Sequence, residues 1–168
     1  MGWLVAFMLA VAAMLAPLGA SASDARFGYL LPSVRNVQLA NIPQRDRYAK
    51  GIAESIAAAA SITAVPIPAH APGGLDLQML CKSLNLAGVI DPYVGWTAND
   101  DAVTAQASAV VMDCNGKQFF LDQASDVANR DAKLTVDEQS DARMAAASSK
   151  LAKRFVTPRT WQVPSRRT

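Results

Sequence analysis

Residues 102–124 read AVTAQASAVVMDCNGKQFFLDQA, and the folding of this stretch decides the sheet. Asn115-Gly116 is a strong hairpin signal, because both residues tolerate the positive φ that a tight primed turn requires. The arms run over about 102–113 and 117–124. A two-residue turn there pairs Cys114 with Lys117, Met112 with Phe119 and Val110 with Leu121. Directly opposed residues share a face. Val110, Met112, Cys114, Phe119 and Leu121 then form the more apolar face, and a helix is expected on it.

That helix lies upstream, in 76-DLQMLCKSLN-85. Leu77, Leu80, Cys81 and Leu84 follow i, i+3, i+4, i+7 spacing, one stripe of a helix over about 75–85. Asn85 suits a left-handed end residue. Cys81 on this stripe and Cys114 at the hairpin are the two cysteines of the chain. A bridge would close a loop of about 33 residues and add about 3–4 kcal/mol by chain entropy. The other state is two separate thiols, one of them buried. The Cα separation decides between them and is not legible in the sequence. No C-x-x-C is present and no His accompanies either Cys, which argues against redox or catalytic work.

The remaining elements follow from periodicity and breakers. Residues 26–34, RFGYLLPSV, form a short extended stretch ended by Pro32. After Pro43, residues 44–60 place Tyr48, Ile52, Ile56 and Ala59 at helical spacing. Residues 61–68, SITAVPIP, alternate as a short strand. A strand begins at Ala87-Gly88-Val89-Ile90, is disturbed by Asp91-Pro92, and resumes over Tyr93–Thr97. Thr135 with Glu138 matches a capping box. It opens a helix to about Phe155 with Met144, Ala147, Leu151 and Phe155 on one side. The order implies an α+β fold: a mixed sheet of about five strands with three helices packed mainly on one face.

Residues 1–22 read as a secretory signal peptide cut after Ala22, with an apolar run over 3–16, Pro17 and Gly19 as breakers, and a small-x-small cut site. Retention as a membrane anchor is the alternative, but the run is shorter than the roughly 20 residues that span a bilayer. Residues 23–155 are expected to form one domain and 156–168 a basic Pro/Arg tail. Residues 150–168 hold Lys150, Lys153, Arg154, Arg159, Arg166 and Arg167 and no acid, so the body is acidic and the end basic. Such an end can touch anionic lipid, nucleic acid or an acidic partner, or stay solvated. No nucleic-acid partner is expected, and any membrane contact is expected to be peripheral. The location expected is periplasmic or secreted.

The order of elements and several segments resemble a bacterial envelope superfamily that includes the amino-terminal domain of TolB, the curli secretion protein CsgG and the penicillin-binding-protein activator LpoB. The segments that carry the resemblance are Tyr29-Leu30-Leu31-Pro32, the Leu-rich helix turning into a strand over Leu80–Ile90, and Asp113-Cys114-Asn115-Gly116-Lys117. The chain departs from these relatives in having no lipid-attachment Cys, no propeller and no pore-forming insertions. The resemblance implies a small periplasmic interaction module, and fold does not pick the partner.

Reactive chemistry finds little support. His70, in 65-VPIPAHAPGG-74, is the one histidine. As a general base it needs an orienting carboxylate and a nucleophile. Asp76 is nearby and serines are plentiful, but no G-x-S-x-G elbow exists. One His and two Cys do not complete a zinc site, and the scattered acids miss a calcium-loop register. Gly73-Gly74 has no phosphate-loop continuation. No cofactor, metal or catalytic residue is expected. Trp96 and Trp161 are candidate interface anchors, with Arg159, Arg166 and Arg167 beside the latter; exposed edge residues near Pro92 are a candidate strand acceptor. The leading expectation is a non-enzymatic module that binds another envelope protein. A small secreted hydrolase using His70, or a binder of anionic surfaces through the tail, is the alternative.

Overall fold

A computed structural model describes residues 25–35, 40–69 and 76–157. One mixed sheet runs β2-β1-β3-β4-β5, with β1 Arg26–Tyr29, β2 Thr63–Pro66, β3 Gly88–Ala98, β4 Ala102–Asp113 and β5 Gln118–Asn129. Helices α1 (Ile42–Ala60), α2 (Leu77–Leu84) and α3 (Val136–Val156) complete the α+β fold, with a 3-10 turn at Pro32–Arg35. The short strand β1 runs parallel to both β2 and β3, and the long β3, β4 and β5 form an antiparallel meander.

Each helix begins and ends where its residues dictate. Pro43 occupies the first turn of α1, where its missing N–H costs nothing. Asp76 accepts a hydrogen bond from Met79 N at 2.8 Å and caps α2, and Asn85 closes it in the left-handed region at φ 54°. Thr135 and Glu138 form the capping box of α3. The backbone and hydroxyl of Thr135 bond the Glu138 carboxylate and hold it below its usual pKa. Asp137 and Glu138 in the first turn and Lys153 and Arg154 in the last complement the helix dipole.

The two faces of the sheet are unequally covered. Helices α1 and α3 lie side by side on one face. Beneath them Val103, Ala105, Ala107, Ala109 and Val111 of β4 are fully buried. Three alanines in alternation leave room for the helices to approach closely, and Ile52, Ile56, Met144, Leu151 and Phe155 fill the layer above. Ala59, expected on the buried stripe of α1, is exposed, because the helix meets the sheet through Ala49, Ala53 and Ala57 instead.

Helix α2 packs alone on the opposite face. Leu80 and Cys81 are buried against Ile67, Leu86 and Val89, flanked by Leu77, Leu84, Met112 and Cys114. Cys81 and Cys114 form a disulfide with a Cα–Cα separation of 5.9 Å. Such a bond fits an oxidising compartment. No helix among the described residues is long and apolar enough to cross a membrane.

Three sequence expectations change. Strand β3 does not break at Asp91-Pro92. Ile90 O accepts from Leu30 N, so alternate residues from Ile90 aim their backbone groups toward β1. Pro92, two residues on, aims its missing N–H past the last β1 residue, where no ladder bond is lost. Pro92 is itself buried, and the β3 residues beyond it run past the end of β1 with no paired strand on that side among the described residues.

The hairpin turn is longer than two residues. Gly116 N donates to Asp113 O, Asp113 N donates to Lys117 O, and only Gly116 has positive φ (80°). The Asp113 carboxylate accepts from Asn115 N and Lys117 N at 2.8 and 2.9 Å and fixes this shape.

The pairing also slips by one. Val110 opposes Leu121 as expected, but Met112 opposes Gln118 across a bulge at Val111/Met112. The extra residue, Phe119, packs with Phe120 on the α1/α3 face. The face that was expected to be the apolar one therefore loses Phe119, and α2 covers only its Met112 end.

Candidate interaction surface

Beyond α2, the second face of the meander has no covering layer among the described residues. Strand β5 presents Leu121 at 70% exposure and Val127 at 59%. Between them lie exposed Gln123 and Ser125, opposite Ser108 and Gln106 of β4, while Val127 faces Thr104. Strand β3 adds exposed Tyr93 and Thr97. Gln106 Nε2 donates to Gln123 Oε1 at 2.8 Å, tying β4 to β5 across this face. A shallow hollow of about 500 Å³ runs over Thr104, Gln106, Gln123 and Ser125 and rounds the sheet edge to Asp122 and Arg154.

The chemistry of the face is distinctive. From Tyr93 to Thr97, Thr104 to Val110 and Leu121 to Val127, its outward residues are amides, hydroxyls, a glycine, aliphatics and one phenol. None is charged. Asp91 of β3 lies on this side too, but it is buried at the α2 boundary and accepts from the Tyr93 hydroxyl at 2.8 Å. Solvated strands ordinarily carry Lys, Glu or Arg on their outer positions, and depletion of charge with large apolar side chains is the mark of an interface centre.

Charge is concentrated elsewhere. Along the outer edge of β5, Arg154 bonds Asp122 and Gln123 O, while Lys150 bonds Asp126 at 2.6 Å and Ser125 O at 3.2 Å. Arg143 reaches Asp126 at 3.0 Å. The Lys150 bond, reinforced by the Arg143 charge, holds the Asp126 carboxyl below its usual range. Arg154 and Lys150 occupy carbonyls of Gln123 and Ser125 that another strand would need, which disfavours strand addition at β5. Arg45 does likewise on β3, donating to Val94 O at 3.3 Å.

The remaining polar cluster ties helices together. Tyr48 donates to Asp141 Oδ1 at 2.6 Å and accepts from Gln44, and Arg47 pairs with the same carboxylate. Burial, then the hydrogen bond to Asp141, pushes the Tyr48 hydroxyl up to about 12. A phenol held neutral is a poor base at ordinary pH, and the cluster joins α1 to α3 beside a cleft of about 290 Å³ that Gly51 leaves open. No group of three His, Cys, Asp or Glu among the described residues is placed to hold a metal.

Trp96, the candidate anchor, is half-buried on the α1/α3 face. Its ring meets Tyr48 edge-on at 5.2 Å, and the Arg45 guanidinium lies 4.9 Å above it. It anchors α1 to β3. The signal peptide, His70, Gly73-Gly74, Arg159, Trp161, Arg166 and Arg167 lie outside the described residues. Sequence reasoning missed the uncovered face. Its signal was readable: positions 104, 106 and 108, and 123 and 125, hold Thr, Gln and Ser where a solvated strand would alternate with charge.

No protein-family model matches this chain, and no curated protein matches it. Distant likenesses to solved structures are found. The PelC dodecamer of Paraburkholderia phytofirmans aligns at 10% identity over 76% of this chain and 88% of that one, with a TM-score of 0.50. A second crystal form of that PelC dodecamer gives 11%, 78%, 89% and 0.49. The hypothetical protein CT253 of Chlamydia trachomatis gives 11%, 79%, 94% and 0.44. At such identities the likeness is one of fold.

Proposed function

We propose that this chain is an exported, non-enzymatic interaction module of the bacterial envelope, working in the periplasm or outside the cell. The observation that carries the reading is the charge-free face of β3-β4-β5 that no described residue covers, with Leu121 and Val127 exposed. A folded domain that exposes such a face keeps it for a partner. The apolar leader with its small-residue cut site and the Cys81–Cys114 bond support export. The resemblance to the superfamily of TolB, CsgG and LpoB agrees with an envelope role and supplies no partner.

The test is capture from an envelope fraction with three baits: the full exported chain, the chain ended after Thr157, and Leu121→Lys/Val127→Lys. A bound protein lost only with the double substitution supports the face. One lost only with the shortened chain assigns binding to the basic tail, and equal capture by all three contradicts both.

A further inference from the structure

We propose that the partner the uncovered face fits first is a second copy of the same chain, docked sheet to sheet about a two-fold axis; this rests on the reading of that face as an interaction surface. Two features select a copy over a charged partner. The first is charge. A two-fold axis sets a face against its own image, so every charge near the axis meets its like. This face avoids such pairing, because its outward residues carry no charge while the charges of β5 lie on its edge and on the α3 side.

The second is hydrogen bonding. Gln106, Gln123, Ser108, Ser125 and Thr104 carry groups that both donate and accept, so each can pair with its own kind. A face of carboxylates or ammoniums alone could not.

Size agrees with a weak pair. The open part runs about 25 Å along the strands and about 15 Å across three of them. Its corrugated surface is on the order of 500 Å² per copy, or about 1,000 Å² for the pair, the lower limit for specific interfaces. The association is therefore concentration-dependent. Stacked sheets sit about 10 Å apart, about the depth of a helix layer. Helix α2 stands on one end of the face and confines the copy to the open half, where it places the partner sheet in the same layer as α2.

Sedimentation velocity of the full exported chain over a micromolar concentration series tests this. The expected result is a mass rising from one to two copies. Val127→Lys and, separately, Gln123→Arg should each weaken the pair roughly tenfold or more through like-charge contact, while Lys153→Glu on α3 leaves it unchanged. Thermal unfolding checks that the variants fold, as exposed positions should allow. A single-copy mass at every concentration overturns the proposal, and so does a dimer or larger ring indifferent to both face substitutions. A single-copy chain that captures another envelope protein, and loses it with Val127→Lys, overturns the second copy and leaves the interaction reading standing.

Discussion

The Phe119 ring meets the Phe27 ring edge-on at 6.4 Å, on the side of the sheet opposite Met112, the residue an uninterrupted Asn-Gly hairpin would place across from it. One extra residue in β5 achieves this, and Phe120, edge-on to Phe155 at 4.9 Å, lands on the same side. Both rings thus pack, half-buried, against the core, and Leu121 begins the open face. Phe119→Ala should cost about 2–4 kcal/mol by transfer and cavity terms. Leu121→Ala should stay within about 0.5 kcal/mol of the parent, as exposed positions do. Urea unfolding of the two variants measures the contrast.

Two glycines should respond to alanine with opposite signs. A Cβ on Gly51 meets nothing within 4 Å, so Gly51→Ala should stabilise α1 by about 0.5–1 kcal/mol through helix propensity. A Cβ on Gly88 would stand 2.4 Å from Met112 O and 2.6 Å from Phe27 Cε1. The carbonyl belongs to the sheet ladder and has little room to give, so Gly88→Ala should cost about 1–3 kcal/mol as an overpacked site. Thermal melts of both variants show whether the signs differ.

The disulfide joins the short helix α2 to the hairpin turn 33 residues away. Its removal by Cys81→Ala/Cys114→Ala should lower stability by about 3–4 kcal/mol on the chain-entropy account. Reductant should give the parent the same loss and leave the double variant unchanged. Equal denaturant midpoints for parent and variant would contradict a stabilising bridge.

Tyr48 and Asp126 each contribute to the pH dependence of stability. Tyr48 is raised to about 12 from the ordinary 10.0 of a tyrosine, so its contribution is present below pH 10 and fades as pH rises toward 12. Tyr48→Phe should flatten that alkaline limb and cost about 1 kcal/mol at neutral pH for the lost bond to Asp141. Asp126 is lowered, so its contribution is present above the ordinary carboxylate pKa and is lost as pH falls through its folded value. Asp126→Asn should flatten the acid limb. Denaturant midpoints across pH separate the two.

Local patterns carried much of this fold. The stripe Leu77, Leu80, Cys81, Leu84 and the box Thr135–Glu138 are short-range signals, and both helices lie where these place them. The continuous β3 was not legible, because Pro92 is tolerated only through where β1 ends, a long-range fact. The bulge was not legible either: Asn115-Gly116 announces a turn, but the Asp113 carboxylate selects a longer one. The exposure of Leu121 follows from that register and from α2 being only eight residues long, too short to cover the meander.

We propose that the face of β3-β4-β5 left open by the described residues is where this protein meets its partner. Photo-crosslinking in the native cell tests it most directly, with a photoreactive residue placed at Gln123 on that face or at Lys153 on the outer side of α3, both exposed. Protein adducts from position 123 and none from position 153 are the expected result. Adducts from 153 with none from 123 would contradict the account.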